Sequence, residues 1–461
     1  MLSSRDRVCL VLLAATVASA ARFPKAPEKL KIVYSWKSLD FAFESEAVRE
    51  SALRTGRFKP GAAIPIDVDV HYGPDEPRVF VTMPRLEVGI PVTVGYVTDG
   101  LSKEGNPLIA PYPNWQWNKL GSCDALTSVY RVQVDECERV WVLDTGKVGE
   151  EQVCPPQLLS FSLRSNRLLS RYRVPSSQCE ADSLLVTPAV DVRRVDPAKQ
   201  CVETFVYLAD VTGFALIVYD HREQRSWKID NNLFYPYPPH GTFEIRDENF
   251  DLMDGILGMA LGPQKPNGER ILYFHSLASV VESWVPTSVL RNYSLFRNNS
   301  EASPRSFQPF AMERSSQSAA EAMDRNGVMF FGLMSDLAIA CWNSKHYPEF
   351  GGNNIEKLVV NEETLQFASG VKVSHRIKSI FQYFLLPKAT LSISQVVNGK
   401  NGRQELWVST ASFQRYMSGS LHPNETNFRI QAGFVDELVR GTQCDVTTLD
   451  SISRYPTKVS K

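Results

Sequence analysis

The chain has 461 residues, of which 43% are hydrophobic and 22% charged, and its formal net charge is −1. A chain of this length and composition can build one large hydrophobic core or two modest ones. The near-zero charge argues against a nucleic-acid-binding protein, because neutralising phosphates requires a basic surface.

The first residues have the pattern of a secretory signal peptide. Arg5 and Arg7 supply positive charge, Val8–Val17 is apolar, and Ala18–Ala20 offers small residues for cleavage. The apolar run is shorter than the ~20 residues that cross a membrane. We therefore predict a signal peptide at residues 1–20 and a secreted, extracellular protein that neither spans nor binds a membrane.

A strand–turn–strand unit then recurs six times along the chain. Each strand is short, rich in aromatic and β-branched residues, and ends in a turn-forming or small residue. The six pairs are Arg78–Arg85 with Gly89–Tyr96, Arg139–Gly146 with Leu158–Leu163, Phe205–Asp210 with Ala215–Asp220, Ile271–Ser276 with Ser279–Trp284, Val328–Leu333 with Ala338–Trp342, and Glu405–Thr410 with Gln414–Met417.

Six units in series predict an all-β fold, a six-bladed β-propeller over residues 21–445. Six four-stranded sheets could form β-sandwiches instead, but no linker divides the chain. Copies are spaced more widely than in ordinary blades, which extra loops such as Asn231–Asp251 explain. Lys31–Trp36 has no partner in the first unit, so we expect it to close the ring as the outer strand of the last blade. Residues 446–461 are predicted to be a flexible tail.

Several segments in the same order point to a known family. They are Tyr34–Lys37, Val81–Arg85, Pro111–Trp115, Gly121–Asp124, Trp141–Gly146, Leu216–Asp220, Asp254–Leu261, Leu272–His275 and Cys341–Asn343. Together they resemble the insect yellow / major royal jelly protein family, and the likeness covers nearly everything after the signal. Ile64–Asp69 and Val439–Cys444 are closer to its yellow-d and yellow-e branches.

The resemblance implies a six-bladed propeller and a mixed range of functions. Members of the family are implicated in melanin and cuticle pigmentation, some are described as dopachrome-converting enzymes, some bind biogenic amines, and some are nutritive. The leading hypothesis is a secreted protein of pigmentation that binds or converts catechol-derived compounds such as dopachrome. The alternatives are a non-catalytic amine-binding or structural cuticle protein and a nutritive protein. Fold alone does not choose among them.

Seven cysteines remain once Cys9 leaves with the signal peptide, so at least one has no intramolecular partner. Cys123 and Cys154 fall at the same end of one predicted hairpin, which predicts a Cys123–Cys154 disulfide. Cys137 and Cys201 hold equivalent places in neighbouring units, which predicts Cys137–Cys201. Cys179 with Cys444 is a further possible pair.

Three N-x-S/T triplets predict glycosylation at Asn292, Asn298 and Asn424. The first two lie in a polar stretch that reads as an exposed loop.

Dopachrome conversion needs an acid/base group and a donor for a developing oxyanion. Asp254 and His275 are the candidates for catalysis, with Asp144 and Asp210 as further carboxylates near strand ends. Turn capping is the common alternative role for such aspartates, and a structural role is the alternative for His275.

Binding an aromatic amine or catechol is physically simpler, since it needs a partly apolar cavity with a few polar groups. Asn343, Ser318 and Phe214 are the candidates for ligand contact, and turn capping is the alternative for Asn343. The cysteine and histidine spacings match no metal site, and no cofactor motif occurs. We expect a monomer without metal or cofactor.

Overall fold

The computed structural model describes residues 29–73, 77–196, 201–375 and 402–446. The predicted signal peptide lies outside these residues, and so does the predicted tail except for Val446. None of the helices in the described ranges is long and apolar enough to cross a membrane.

Six antiparallel sheets form the blades. Two strands, β1 (Lys31–Trp36) and β2 (Asp40–Phe41), precede them. Blade 1 consists of β3 (Asp67–Tyr72), β4 (Pro77–Thr82), β5 (Val94–Leu101) and β6 (Pro107–Pro111), with β2 parallel to β6. Blade 2 consists of β7 (Val129–Val134), β8 (Arg139–Asp144), β11 (Gln157–Ser162) and β12 (Leu168–Arg173); β9 (Lys147–Val148) and β10 (Glu151–Gln152) form a hairpin between them. Blade 3 consists of β13 (Leu185–Val192), β14 (Thr204–Asp210), β15 (Ala215–Asp220) and β16 (Arg225–Asp230).

The second half of the ring repeats the pattern. A hairpin of β17 (Thr242–Ile245) and β18 (Glu248–Asp251) separates blades 3 and 4. Blade 4 consists of β19 (Ile256–Leu261), β20 (Ile271–Ser276), β21 (Ser283–Pro286) and β22 (Gln308–Pro309). Blade 5 consists of β23 (Glu321–Met323), β24 (Val328–Leu333), β25 (Ala338–Asn343) and β26 (Ile355–Val360). Blade 6 consists of β27 (Ala368–His375), β28 (Gln404–Ala411), β29 (Phe428–Phe434) and β1. The helices are α1 (Glu46–Arg54), α2 (Thr287–Leu290), α3 (Tyr293–Phe296), α4 (Phe413–Met417) and α5 (Val435–Leu438).

The blades close into a ring. The inner strands β3, β7, β13, β19, β23 and β27 each contact the next, and β27 contacts β3. At the periphery β1 pairs antiparallel with β29, from Lys31 opposite Ala432 to Trp36 opposite Phe428. The N-terminal strand therefore supplies the outer strand of the last blade, as the sequence predicts.

Burial explains the residue types along each blade. Strands β8 and β25 are buried at every position, because neighbouring blades cover both of their faces. Their interiors, Val140–Leu143 in β8 and Ala338–Trp342 in β25, are continuous apolar runs. The outer strands β1 and β12 consist mostly of exposed or partly buried residues, since only one face meets the protein. The order of hydrophobicity from inside to outside is that of a propeller.

Three predicted strands differ from the structure, and one of them, Ser279–Trp284, begins only at Ser283. Gln414–Met417 lies in helix α4, and the third strand of blade 6 is β29 instead. Gln, Arg and Met are good helix formers and the run lacks β-branched residues, so nothing local favours a strand. In blade 1 the predicted strand Gly89–Tyr96 begins only at Val94. The carbonyl groups just before it are turned toward the buried guanidinium of Arg85.

Three disulfides are present. Cys123–Cys154 and Cys137–Cys201 are the pairs that the blade geometry predicts. The possible Cys179–Cys444 pair is wrong, because Cys444 bonds to Cys341 in strand β25 and Cys179 remains a free, partly buried thiol. The sequence separation of 103 residues between Cys341 and Cys444 hides this pairing from any argument based on one hairpin.

Candidate functional site

The end of the central channel at which the inner strands begin is called the channel mouth. Loops that join the second and third strands of the blades reach the same end. Around blades 3 and 4 the backbone ties these loops together, because Gly255 N–H donates to Val211 O at 2.8 Å and Leu277 N–H donates to Gly255 O at 2.9 Å. Residues at the starts of inner strands are therefore the ones placed at the mouth.

Asp254 lies at the mouth, two residues before β19. Its side chain is partly buried and makes no hydrogen bond or ion pair within the described residues. Burial alone raises the pKa of this carboxyl group to about 6. A carboxylate in this state is poised to exchange a proton near neutral pH.

The other two candidate aspartates are fully committed to the backbone. Asp144 accepts hydrogen bonds from the N–H groups of Thr127 and Ser128 at 2.9 and 2.8 Å. Asp210 accepts from the N–H groups of Leu184 and Gly213 at 2.9 and 3.0 Å, and from the Ser183 hydroxyl. These side chains hold turns together, which leaves Asp254 as the chemically available one of the three.

Gly255 fixes the surroundings of Asp254. A Cβ at this position would come within 2.4 Å of Phe234 O and 2.5 Å of Phe214 Cδ1. Only glycine allows the backbone next to Asp254 to approach these groups so closely. The structure thus brings Phe214 and Asp254, two of the predicted site residues, to the same side of the mouth.

Further aromatic rings lie next to Phe214 on this side of the mouth. The rings of Phe214 and Tyr235 lie 4.9 Å apart, centroid to centroid. Tyr235 and Tyr237 are 55% and 54% exposed, which is unusual for side chains of this size. An exposed aromatic edge next to a carboxylate suits a flat aromatic ligand that carries polar groups.

Tyr130, the second residue of β7, faces the same region. Its pKa is raised well above the ordinary value, first by burial and then by the charges of Asp254 and Glu150. Glu150 lies in the turn between β9 and β10, and Tyr416 of α4 also acts on this phenol. The Tyr130 hydroxyl stays protonated at neutral pH and can donate a hydrogen bond to an oxygen that gains charge.

The hairpin of β17 and β18 lies over blades 5 and 6 at this end of the channel. The Phe250 ring stacks on Phe243 at 5.1 Å and meets the Phe413 ring at 5.6 Å. Glu248 accepts hydrogen bonds from the hydroxyls of Ser418 and Ser420. The segment that reads as an extra loop is therefore an ordered cover that narrows the mouth.

Asn343 is not part of this site. It is fully buried at the last position of β25, opposite Val328, and so lies at the far end of blade 5 from the mouth. Its Oδ1 accepts from the N–H groups of Lys345 and His346 at 3.1 and 3.3 Å. The proposed ligand contact for Asn343 is thus corrected to turn capping, the alternative that the sequence left open.

His275 and Ser318 meet each other below the mouth surface rather than on it. His275 Nε2 lies 3.0 Å from Ser318 O, and the two residues are 1% and 0% exposed. A group closed off to this degree cannot contact a ligand at the mouth without rearrangement. Both residues therefore belong to the interior of the propeller.

His275 belongs to a buried ion cluster. Its Nδ1 lies 2.9 Å from Glu282 Oε2 and 3.2 Å from Glu321 Oε2, and Arg314 Nη1 lies 2.5 Å from Glu282 Oε2. Burial alone would lower the pKa of His275, but the two carboxylates outweigh burial and the Arg314 charge, so it is raised. Burial and then the charge of Glu282 raise the pKa of Glu321 to about 7, so this carboxyl group shares the proton balance of the cluster at neutral pH.

His275, Glu282 and Glu321 form the one group within the described residues that could ligate a metal. Their ligating atoms lie within 4.8 Å of one another. A protonated His275 offers no lone pair on Nδ1, so balance by a proton and ligation of a metal exclude each other. Oxygen atoms of Glu282 and Ser318 face the two ring nitrogens of His275, which favours the proton, and we assign the cluster a structural role that joins blades 4 and 5.

The three predicted glycosylation sites are exposed. Asn292, Asn298 and Asn424 all lie on the surface, the first as the cap of α3. Glycosylation itself stays a prediction.

The described residues form a six-bladed propeller whose channel mouth carries an unpaired carboxylate, a phenol and aromatic rings. The chain belongs to the yellow and major royal jelly protein family. A family model described as "Major royal jelly protein" matches residues 127–444. Assignment to the yellow-d or yellow-e branch stays a prediction.

Full-length relatives agree with this family. The chain is 33% identical over 420 residues to major royal jelly protein 9 of Apis mellifera, covering 90% of each chain. It is 32% identical over 430 residues to dopaminechrome tautomerase of Drosophila melanogaster, covering 91% of this chain and 85% of that one. It is 32% identical over 435 residues to protein yellow of Drosophila guanche, covering 92% and 68%.

Proposed function

We propose that this protein is a secreted member of the family that acts in pigmentation by isomerising catechol-derived aminochromes, with Asp254 as the general base. The observation that carries the proposal is the partly buried, unpaired carboxylate with a pKa of about 6 at the channel mouth. One relative is named for tautomerisation of dopaminechrome, which is a reaction of this class. Three disulfides are consistent with an extracellular location.

The proposed reaction moves one proton and loses no atoms. Asp254 takes a proton from a saturated ring carbon of the aminochrome, and the electron pair moves through the conjugated ring to a quinone oxygen. Tyr130 donates a hydrogen bond to that oxygen as it gains charge, a proton from solvent completes the hydroxyl group, and Asp254 returns its proton to solvent. General-base catalysis of this kind contributes roughly 10²–10⁴-fold.

The charge around the site predicts which aminochromes bind. Tyr130 is influenced by Asp254 and Glu150, and no cation acts on it or on Asp254 within the described residues. An aminochrome that carries a carboxylate is repelled by such a mouth. We expect dopaminechrome, which lacks that group, to be preferred over dopachrome.

The test is a stopped-flow assay of freshly oxidised dopamine and dopa, followed by absorbance, with wild type and Asp254→Asn. We expect acceleration over buffer with wild type, at least a 100-fold loss in the variant, and a higher kcat/KM for dopaminechrome. An absence of acceleration with both substrates rejects the enzyme.

Amine binding without turnover is the second candidate, and the acidic mouth favours it specifically. A protonated amine gains attraction from Asp254, and its ring can stack against Phe214 and Tyr235. Calorimetry with dopamine and serotonin distinguishes this case: tight binding together with no effect on either aminochrome supports it. Failure of both assays leaves a structural or nutritive role.

A further inference from the structure

A polar cleft opens beside blade 6, and Asp254 is not among the residues that line it. Its volume is about 250 Å³, and its walls come from the tip of the β17–β18 hairpin, the loop before β27, the loop between β28 and β29, and the start of β29. Three arginines line it: Arg246, Arg415 and Arg429, with Glu363 and Glu425 as the carboxylates. Three cations from three separate segments thus meet in one cleft, where their charges repel one another unless anions lie between them.

Arg429 is the buried cation of the cleft. Its side chain is only 8% exposed, and its one ion pair within the described residues joins Nη2 to Glu363 Oε1 at 3.5 Å. The side chain of Glu363 is 82% exposed, so water competes for it fully. A guanidinium has five N–H donors, and within the described residues only the 3.5 Å contact to Glu363 engages those of Arg429, which leaves the others open to a ligand.

Arg246 is the second available cation. It sits in the two-residue turn of the hairpin with φ of 58°, is exposed, and has no hydrogen bond or ion pair within the described residues. Arg415, by contrast, is already engaged. Its Nη1 lies 2.6 Å from Glu425 Oε2 and its Nε lies 3.3 Å from Glu248 Oε1.

We propose that this cleft binds an oxyanion group, held between the guanidinium groups of Arg429 and Arg246 and displacing Glu363. Phosphate, sulfate and carboxylate groups all match the paired N–H donors of arginine. Because Glu363 is exposed, its carboxylate moves into solvent at little cost when the anion enters. The anion then takes the place of the Glu363 carboxylate beside the guanidinium of Arg429.

Isothermal titration calorimetry with inorganic phosphate, sulfate and acetate at constant ionic strength tests the site. We expect saturable binding of at least one of them to wild type and at least a tenfold weakening in Arg429→Gln. Arg246→Gln, an exposed turn substitution that leaves the fold intact, should also weaken binding. Arg164→Gln provides the control, because that arginine is 78% exposed and lies in blade 2.

Glu363→Gln separates this proposal from simple charge attraction. Removing the competing carboxylate should tighten anion binding. If Arg164→Gln weakened binding as much as Arg429→Gln does, the response would be a nonspecific effect of surface charge. No saturable binding to wild type, or unchanged binding in both Arg429→Gln and Arg246→Gln, would overturn the proposal. The anion that binds best identifies the chemical class of the natural ligand.

Discussion

The carboxyl group of Asp254 is costly to keep charged, because burial raises its pKa and no described donor contacts it. Asp144 and Asp210 show the ordinary outcome, in which backbone N–H groups surround the carboxylate. A residue that does not stabilise the fold yet occupies an accessible mouth fits a functional role. The sequence offers all three aspartates equally, since the difference lies in partners that only the folded ring provides.

Asp254→Asn should therefore separate activity from stability. A raised pKa in the folded state means that the contribution of Asp254 to stability is complete below its unfolded value, near 4, and is lost as pH rises through about 6. The amide carries no charge to bury, so at pH 7.5 we expect an equal or higher Tm together with loss of aminochrome conversion. Calorimetric melting of both proteins checks the first part.

The pH profile of the wild-type enzyme offers an independent check. A general base works only when deprotonated, so kcat/KM should fall as pH drops through about 6 and level off above 7. Measurements between pH 5 and pH 8 on dopaminechrome would show this, with the uncatalysed rate subtracted at each pH. A profile that stays flat through pH 6 argues against Asp254 as the base.

Gly255→Ala should damage both the fold and the site. The added methyl would lie 2.4 Å from Phe234 O and 2.5 Å from Phe214 Cδ1, and the carbonyl cannot move without shifting the backbone. We expect a loss of about 1–3 kcal/mol in the free energy of unfolding. Urea titration measures this free energy. Gly419→Ala is the comparison variant, because a Cβ there meets no atom within 4 Å and any loss would come from its positive φ alone.

At the scale of elements, the β17–β18 hairpin is the part of the channel mouth that differs most from the sequence prediction. Its strands carry too few residues to stand out from the sequence, and the stretch reads as a loop between blades. What orders it is packing at long range, through Phe250 against Phe413 and Phe367. Contacts of this kind leave no periodic signal, whereas the blade strands repeat and are visible at once.

Phe250→Ala should loosen the hairpin while leaving the blades intact. Removing a buried ring of this kind costs about 3–5 kcal/mol. Here we expect the loss to lower the free energy of local opening of the hairpin. Hydrogen exchange should therefore accelerate at least 100-fold for amides of residues 242–251 and stay unchanged in β8. Tyr237→Ala, at a ring that is 54% exposed, is the matched control. Uniform acceleration across the chain would contradict a separate cover.

At the scale of the whole molecule, the sequence predicts the ring, its closure by Lys31–Trp36 and two disulfides. These follow from local strand patterns and from positions within single hairpins. The sequence wrongly predicts ligand contact for Asn343 and a possible disulfide between Cys179 and Cys444, and it does not point to Tyr130 as a site residue. Each depends on which residues face each other across blades, and strand alternation alone does not give that.

The disulfides should differ in their weight on stability. The Cys341–Cys444 bond closes 103 residues and the Cys123–Cys154 bond closes 31. Chain entropy assigns them about 5 and about 4 kcal/mol respectively. Replacing both cysteines of each pair by alanine should lower Tm more for Cys341 and Cys444, as calorimetry can measure. The reverse order would show that native-state packing outweighs loop length.

The pairing of β1 with β29 also sets the order of events during synthesis. Trp36 leaves the ribosome about 390 residues before its partner Phe428. At 5–20 residues per second the wait is on the order of half a minute, during which the edge of β1 has no neighbour. Nascent chains halted before Phe428 should therefore associate through this edge, whereas chains released after Phe434 should close on themselves.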